Sequence, residues 1–374
     1  MTARHLLILS LTALAATACG SRGSVTQSTA PGNIITQAQG LSIERAQGYT
    51  TVAIADPWNA GKLLRTYILV PRGQEPPADI PDGVIVRTPI QNAVVYSSVH
   101  GAAIKELGAI ESLKGVCDAQ YFNMPEAQAG IEAGTVADCG NSMSPTVEKI
   151  VALSPDAIIL SPFQNTGYGA IESLGTPIIE CADYMESAPL GRAEWIKLFG
   201  ELCCRQQLAD SIFEAAKESY NTLKASVADV PARPKVLTEM LFSGVWYVPA
   251  GESYMATMLR DAGADYPWSD TGGAGSIALD LAQTLDKAGD ADIWLIKPMS
   301  PLTYATLKSE NALYAEFEAY KRRRVYQCVS TSNTLYQDFP FHPDALLRDY
   351  VAIFHPDRLP QEYSTKYYEP LTDE

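Results

Sequence analysis

The stretch Asn141–Leu160, NSMSPTVEKIVALSPDAIIL, constrains the fold of this chain more than any other. Asn141, Ser142 and Ser144 offer capping oxygens, and Pro145 suits a first helical position. Val147, Ile150 and Val151 then follow with helical spacing, and Ser154-Pro155 ends the helix. Ala157-Ile158-Ile159-Leu160 is short and wholly apolar, as a strand covered on both faces must be. Helix, tight turn and buried parallel strand make half of a βαβ unit. The chain is therefore read as α/β. At 374 residues it exceeds one ordinary core, so two domains are expected.

Residues 1–19 bear on the compartment. Arg4 and His5 precede an apolar run, Leu6–Leu14, that is too short to span a bilayer. Ala15-Ala16-Thr17-Ala18 leads into Cys19. Small residues before a cysteine resemble a bacterial lipobox, which implies an exported chain lipidated at Cys19 and touching the membrane through that anchor only. Residues 20–40 are rich in Ser, Thr, Gly, Gln and Ala, a composition that suits a flexible tether. The formal charge of −15 leaves no basic surface able to displace counterions from phosphates, which argues against nucleic acid. An exported chain can hold disulfides, and Cys117 with Cys139 is the expected pair.

Along the chain, Thr51–Ile54 and Thr66–Val70 read as a hairpin, with Ile85–Arg87 as a further strand. Residues 41–189 form an N-terminal α/β lobe with these extra strands at its start. Strand Ala93–Tyr96, the loop Ser97–Gly101 and a following helix place loop side chains at the carboxyl edge of a parallel sheet, where ligands bind. Residues 190–230 carry no strand signal. Trp195, Leu198, Phe199, Leu202, Phe213, Tyr220 and Leu223 recur at helical spacing, broken near Cys203–Arg205. One long helix, or two with a break, would link the lobes. Residues 231–374 repeat the α/β alternation, with strands at Val236–Thr238, Val245–Val248, Ile293–Ile296 and Val325–Cys328 and a closing helix Pro343–Phe354.

Catalytic and metal signals are sparse. His100, His342 and His355 are the histidines left after export, too few for a clustered metal site. His342 and His355 bracket the last helix and read as boundary residues, while His100 sits on the Ser-rich loop. No nucleophile elbow, P-loop or dinucleotide loop occurs, so neither cofactor nor metal is expected. Tyr96, Tyr121, Trp246, Tyr247 and Tyr336 fall at strand ends or in loops, where rigid aromatic faces suit a large flat ligand.

Four segments carry a family resemblance: the opening stretch with its acidic Glu148, Pro189–Leu202, Trp246–Trp268, and HPDALLRDYVAIFHPDRLP with the later KYYEPL. Together they resemble the periplasmic binding proteins of ABC importers for siderophores, haem and cobalamin. The resemblance implies two Rossmann-like lobes with parallel sheets joined by a long α-helix. It implies capture of an iron chelate, haem or cobalamin between the lobes and delivery to a permease with its ATPase. On this reading Ser97, Ser98 and His100 of one lobe and Trp246 and Tyr247 of the other contact the ligand, with Tyr121 and Tyr336 beside them. One surface acid per lobe would dock the permease. Glu148 takes the first position. The second normally follows a segment like Ser276–Leu281, but that residue is Ala282 here, which leaves Asp280 or Asp286. The alternative is an exported two-lobed enzyme, which would require a cofactor loop or a reactive pair.

Overall fold

A computed structural model describes residues 32–360 and 362–373. The expected export signal, Cys19 and the tether up to residue 31 lie outside the described residues. The chain opens with a sheet of β1 (Leu41–Ala46), β2 (Tyr49–Ala55), β3 (Leu63–Pro71) and β4 (Val84–Thr88), in that order. β2 and β3 pair antiparallel as expected of the hairpin, and β4 lies parallel to β3.

The first lobe proper follows as β5 (Ala93–Val95), α1 (Ser98–Glu106), β6 (Leu113–Val116), α2 (Pro125–Glu132) and β7 (Ala137–Asp138). A small ribbon of β8 (Gly140–Asn141) and β9 (Ser144–Pro145) leads to α3 (Val147–Ala152), β10 (Ala157–Leu160) and β11 (Ile178–Glu180). The sheet runs β11-β10-β5-β6-β7, all parallel. Alternation along its strands loads two cores. Ala93, Val95, Ala157 and Ile159 face the one shared with β1–β4, while Val94, Ile158 and Leu160 face the other. The apolar run of β10 is thus buried on both sides, as its sequence requires.

The start of α3 differs from expectation. Asn141, Ser142 and Ser144 do not cap it; Thr146 is the N-cap. Local bonds hold this segment short of the helix: Asn141 Oδ1 accepts from the Met143 amide (2.9 Å), and Asp118 accepts from Asn141 Nδ2 (3.0 Å) and from the Ser142 amide (3.3 Å). Cys117 and Cys139 are both buried free thiols, so the expected disulfide is absent. Burial pushes the Cys117 thiol up to about 12 and Cys139 to about 11, which keeps both protonated.

The connector is α4 (Pro189–Glu194), α5 (Ile196–Leu202) and α6 (Gln206–Ser226). It breaks at Cys203–Arg205, where Cys204 adopts a left-handed backbone (φ 53°). The long helix is therefore α6, about 31 Å at 1.5 Å per residue, and not one rod over residues 190–227. Its first half puts Ala209 and Phe213 into the first-lobe core, and its second half puts Tyr220 and Leu223 into the second. One rigid element is thus packed into both lobes.

The second lobe holds β12 (Val236–Thr238), β13 (Leu241–Phe242), β14 (Val245–Pro249), α7 (Tyr254–Asp261), β15 (Ser276–Leu279), α8 (Leu281–Ala288) and β16 (Ile293–Ile296). It closes with α9 (Tyr304–Glu310), α10 (Glu318–Lys321), β17 (Val325–Gln327), α11 (Leu335–Asp338), α12 (Pro343–Phe354) and β18 (Glu369–Pro370). β12, β16 and β17 pair in parallel, with β18 antiparallel at the edge. β13-β14-β15 form a separate antiparallel sheet.

Residues 33–40, expected within the tether, are instead fixed to the connector. The buried Glu194 carboxylate accepts from the amides of Thr36 (2.9 Å), Gln37 (2.6 Å) and Ala38 (3.0 Å), and Lys197 Nζ lies 3.0 Å away. Glu186 accepts from the amides of Gln39 (2.9 Å) and Gly40 (2.8 Å) and from Trp195 Nε1 (3.1 Å). Ile35 and Ala38 are buried beneath this clamp. Removing one member of a buried charge network strands the others, at about 3–5 kcal/mol. Glu194→Ala is therefore expected to lower unfolding free energy by about that amount in a denaturant melt and to open residues 36–40 to hydrogen exchange. An unchanged melt would mean that this segment is only a tether.

Candidate functional site

In both lobes the parallel strands end at the same gap. Tyr96, Ser97 and Ser98 follow β5, Asp118 comes soon after β6, and Ser161 follows β10. Opposite them, Lys297 follows β16, and Ser330 and Thr331 follow β17. Strand carboxyl ends leave loop side chains and unpaired backbone groups at the sheet edge, the place where α/β folds take ligands. Between the two edges lies a cavity of about 1200 Å³, lined by both lobes. Thirteen large apolar or aromatic side chains stand exposed among the described residues, and five of them line this cavity: Tyr121, Met143, Phe163, Met299 and Tyr336. Such a concentration of exposed apolar side chains is a feature of interaction surfaces.

Four of the expected contact residues meet here: Ser97, Ser98, Tyr121 and Tyr336 all line the cavity. The other three do not. His100 lies on the inward face of α1 and is 1% exposed. Its Nε2 is 3.0 Å from Asp183 Oδ1, and its ring packs on Phe199 with centroids 5.5 Å apart. Asp183 in turn accepts from Arg192 Nε at 3.0 Å, so this trio ties α1 to the connector rather than facing the gap. Trp246 is fully buried, donates from Nε1 to the Thr238 carbonyl (2.8 Å) and stacks on Trp294 at 5.7 Å. Tyr247 is 46% exposed but does not line the cavity. Both sit on β14 of the antiparallel sheet, whose alternation sends Trp246 into the core and Tyr247 to solvent.

Several lining residues were not singled out from the sequence. Lys297, Met299, Asn333 and Gln337 come from the second lobe, Met143 and Phe163 from the first. Lys297 was findable, because it is the first residue after the buried run Ile293–Ile296. It pairs with Glu239, which follows β12 and holds a left-handed backbone (φ 66°) that costs energy for a residue with a side chain. The Trp294 indole fixes that backbone by donating to the Glu239 carbonyl (2.7 Å). Burial pulls the Lys297 ammonium down, yet the Glu239 carboxylate overrides it, so the ammonium is held well above its ordinary value and stays charged. Burial likewise raises the Tyr96, Tyr168 and Tyr336 phenols, which remain neutral. Among the described residues no three His, Cys, Asp or Glu side chains gather as a metal site, and no helix is long and apolar enough to cross a membrane.

Contacts across the gap fix its depth. Asn123 Nδ2 donates to the Thr331 carbonyl at 3.3 Å. Helix α1 packs on α11, and Phe341, from the second lobe, is buried in the first-lobe core. His342, the N-cap of α12, sets its Nε2 2.7 Å from Glu106 Oε1 at the end of α1.

Two α/β lobes on a shared helix, with a lined cavity between them, define a solute-binding architecture. Residues 93–331 match the periplasmic binding protein family, and the chain belongs to that family. An uncharacterized lipoprotein of Methanocaldococcus jannaschii is 28% identical over 288 residues, covering 73% of this chain and 67% of the relative. The fold is similar to that of a periplasmic haem-binding protein from Pseudomonas aeruginosa (TM-score 0.59, 18% identity, 76% of this chain and 98% of the other). It is also similar to the TroA-like periplasmic binding protein FepB of Veillonella parvula (TM-score 0.57, 16% identity, 76% and 96%).

The His342–Glu106 link titrates in an accessible range. The hydrogen bond that the His342 imidazole donates to the Glu106 carboxylate raises it above its usual value, despite burial. A raised histidine contributes stability that is fully present below its unfolded value, about 6.5, and is lost as pH rises through the folded value. The stability difference between wild type and His342→Gln is thus expected to be largest near about pH 6 and to shrink towards about pH 9, measured by denaturant melts across that range. A difference that grows with pH would contradict the assignment.

Proposed function

We propose that this chain is the substrate-binding lipoprotein of an ABC importer. It captures a metal chelate of the iron–siderophore type, or cobalamin, between its lobes and delivers it to a membrane permease. The observation that carries this reading is the 1200 Å³ cavity, in which exposed aromatic and thioether side chains from both lobes meet. A planar chelate or corrin ring offers wide faces to such a wall and polar groups at its edge. Family membership and the likeness to a solved haem-binding protein support the transport role. The lipoprotein relative supports an envelope location with anchoring through Cys19.

Binding without turnover fits the lining. Its serine hydroxyls have no histidine beside them in the cavity, since His100 is turned into the core. Haemin, a ferric hydroxamate and cobalamin, each added to the purified chain, are expected to give one saturable tryptophan-fluorescence titration among them. The ligand should be recovered unaltered by mass spectrometry. Tyr121→Ala with Phe163→Ala should weaken that binding about tenfold or more, as loss of central aromatic contacts does. A chemically altered ligand, or no binding by any of the panel, would overturn the reading.

Docking rests on one acid per lobe. Glu148 is exposed on α3 and makes no ion pair among the described residues. Asp280 is exposed at the start of α8, where its Oδ1 accepts from the Gln283 amide (2.7 Å) in a capping box. Paired surface charges steer encounter and set orientation more than they add affinity. Glu148→Arg is expected to cut uptake by the reconstituted importer about tenfold or more while leaving the ligand Kd unchanged. Uptake at the wild-type rate would remove Glu148 from the docking face.

A further inference from the structure

The geometry points to a cargo of one charge and hydrogen-bonding class: a chelate without net negative charge whose edge carries amide N–H or hydroxyl donors. This rests on the proposed binding role and narrows it.

The first observation is electrostatic. Of the lining residues only Asp118 and Lys297 carry full charge, and there is no arginine or histidine among them. Lys297 is already paired with Glu239, and both side chains are largely buried. Asp118 adds a negative charge on the opposite wall. An anionic chelate would lose its hydration in this gap and find no uncompensated cation in return. The chain's net charge of −15 works against its approach as well.

The second observation is the polarity of the second-lobe wall. Gln337 is 4% exposed, lines the cavity and has an unpartnered side-chain oxygen. Ser330 Oγ donates its hydrogen to the Pro298 carbonyl (3.1 Å), and Thr331 Oγ1 donates to the Met299 carbonyl (2.6 Å). With those hydrogens committed inward, the two hydroxyls can only accept from a ligand. Asn333 Nδ2 gives one of its two hydrogens to the Tyr367 carbonyl (3.0 Å), and its Oδ1 accepts from the Leu335 amide (2.8 Å). The wall therefore presents hydroxyl acceptors at Ser330 and Thr331, beside the buried Gln337 oxygen that lacks a partner. Carboxylate and catecholate oxygens are themselves acceptors and find no partner at these two hydroxyls. Carboxamide N–H groups are what these positions can take, and a buried unpaired carbonyl is the kind of group that discriminates strongly for its missing partner.

The test is a charge ladder on the full wild-type chain, read by tryptophan fluorescence or calorimetry. Its probes are cyanocobalamin and ferrichrome (uncharged, amide-bearing), haemin (two carboxylates) and ferric enterobactin (trianionic). At least one uncharged probe is expected to bind about a hundredfold or more tighter than the trianion. Gln337→Leu should weaken that probe about tenfold without lowering Tm. Glu239→Gln, which unmasks Lys297, should tighten the trianion about tenfold relative to the uncharged probe. A trianion that binds wild type as tightly as the uncharged probes would overturn the inference while leaving the binding role standing. So would a Gln337→Leu chain with undiminished affinity. Failure of every probe on a folded wild-type chain would instead overturn the binding role, and this inference with it.

Discussion

The packing of α6 into two hydrophobic cores at once is the constraint on which the rest depends. Ala209 and Phe213 belong to one core, Tyr220 and Leu223 to the other. A flexible loop between lobes would leave their separation free, whereas a helix buried at both ends cannot bend without exposing apolar surface in one core or the other. Secondary ties act in the same sense. The buried Glu194 and Glu186 fasten residues 36–40 to the connector, and His100, Asp183 and Arg192 fasten α1 to it. The two sheet edges are thereby held face to face at a set distance, and the gap exists before any ligand arrives.

What fills that gap is decided by strand ends. Parallel strands deliver their next residues to a common edge, so Ser97, Ser98 and Asp118 come together although they are distant from Lys297, Ser330 and Thr331 in sequence. The aromatic and thioether groups supply area, and the hydroxyl and amide groups supply direction. Charge is nearly absent from the walls, and the one cation present is already matched by a carboxylate on a strained backbone. On the proposed binding role, such walls would sort ligands by shape and hydrogen-bond polarity more than by charge.

Much of the fold was legible in the sequence because buried parallel strands are written as unbroken apolar runs. Ala157–Leu160, Ile293–Ile296 and Val236–Thr238 were read that way and form β10, β16 and β12. Pro343–Phe354 was read as a helix with the boundaries it has. Long-range hydrogen bonding was not legible. Residues 33–40 have a linker's composition, and distant partners, chiefly the carboxylates of Glu186 and Glu194 some 150 positions away, give them a fixed path. The site was half legible. Ser97, Ser98, Tyr121 and Tyr336 were found by the strand-end and loop rules. Trp246 was misplaced because a strand of the antiparallel sheet was taken for one of the parallel sheet, and His100 because a helical face was taken for a loop. Met143, Met299 and Gln337 left no signal, since no pattern marks a side chain that is exposed only into a cavity.

Hydrogen exchange along the chain, with and without a saturating chelate, tests the central claim most directly. The account expects protection at loops of both walls, around residues 97–98, 118–123, 297–299 and 330–337, with the amides of α6 unchanged. Protection confined to one lobe, or altered exchange through the middle of α6, would contradict a preformed gap braced by that helix.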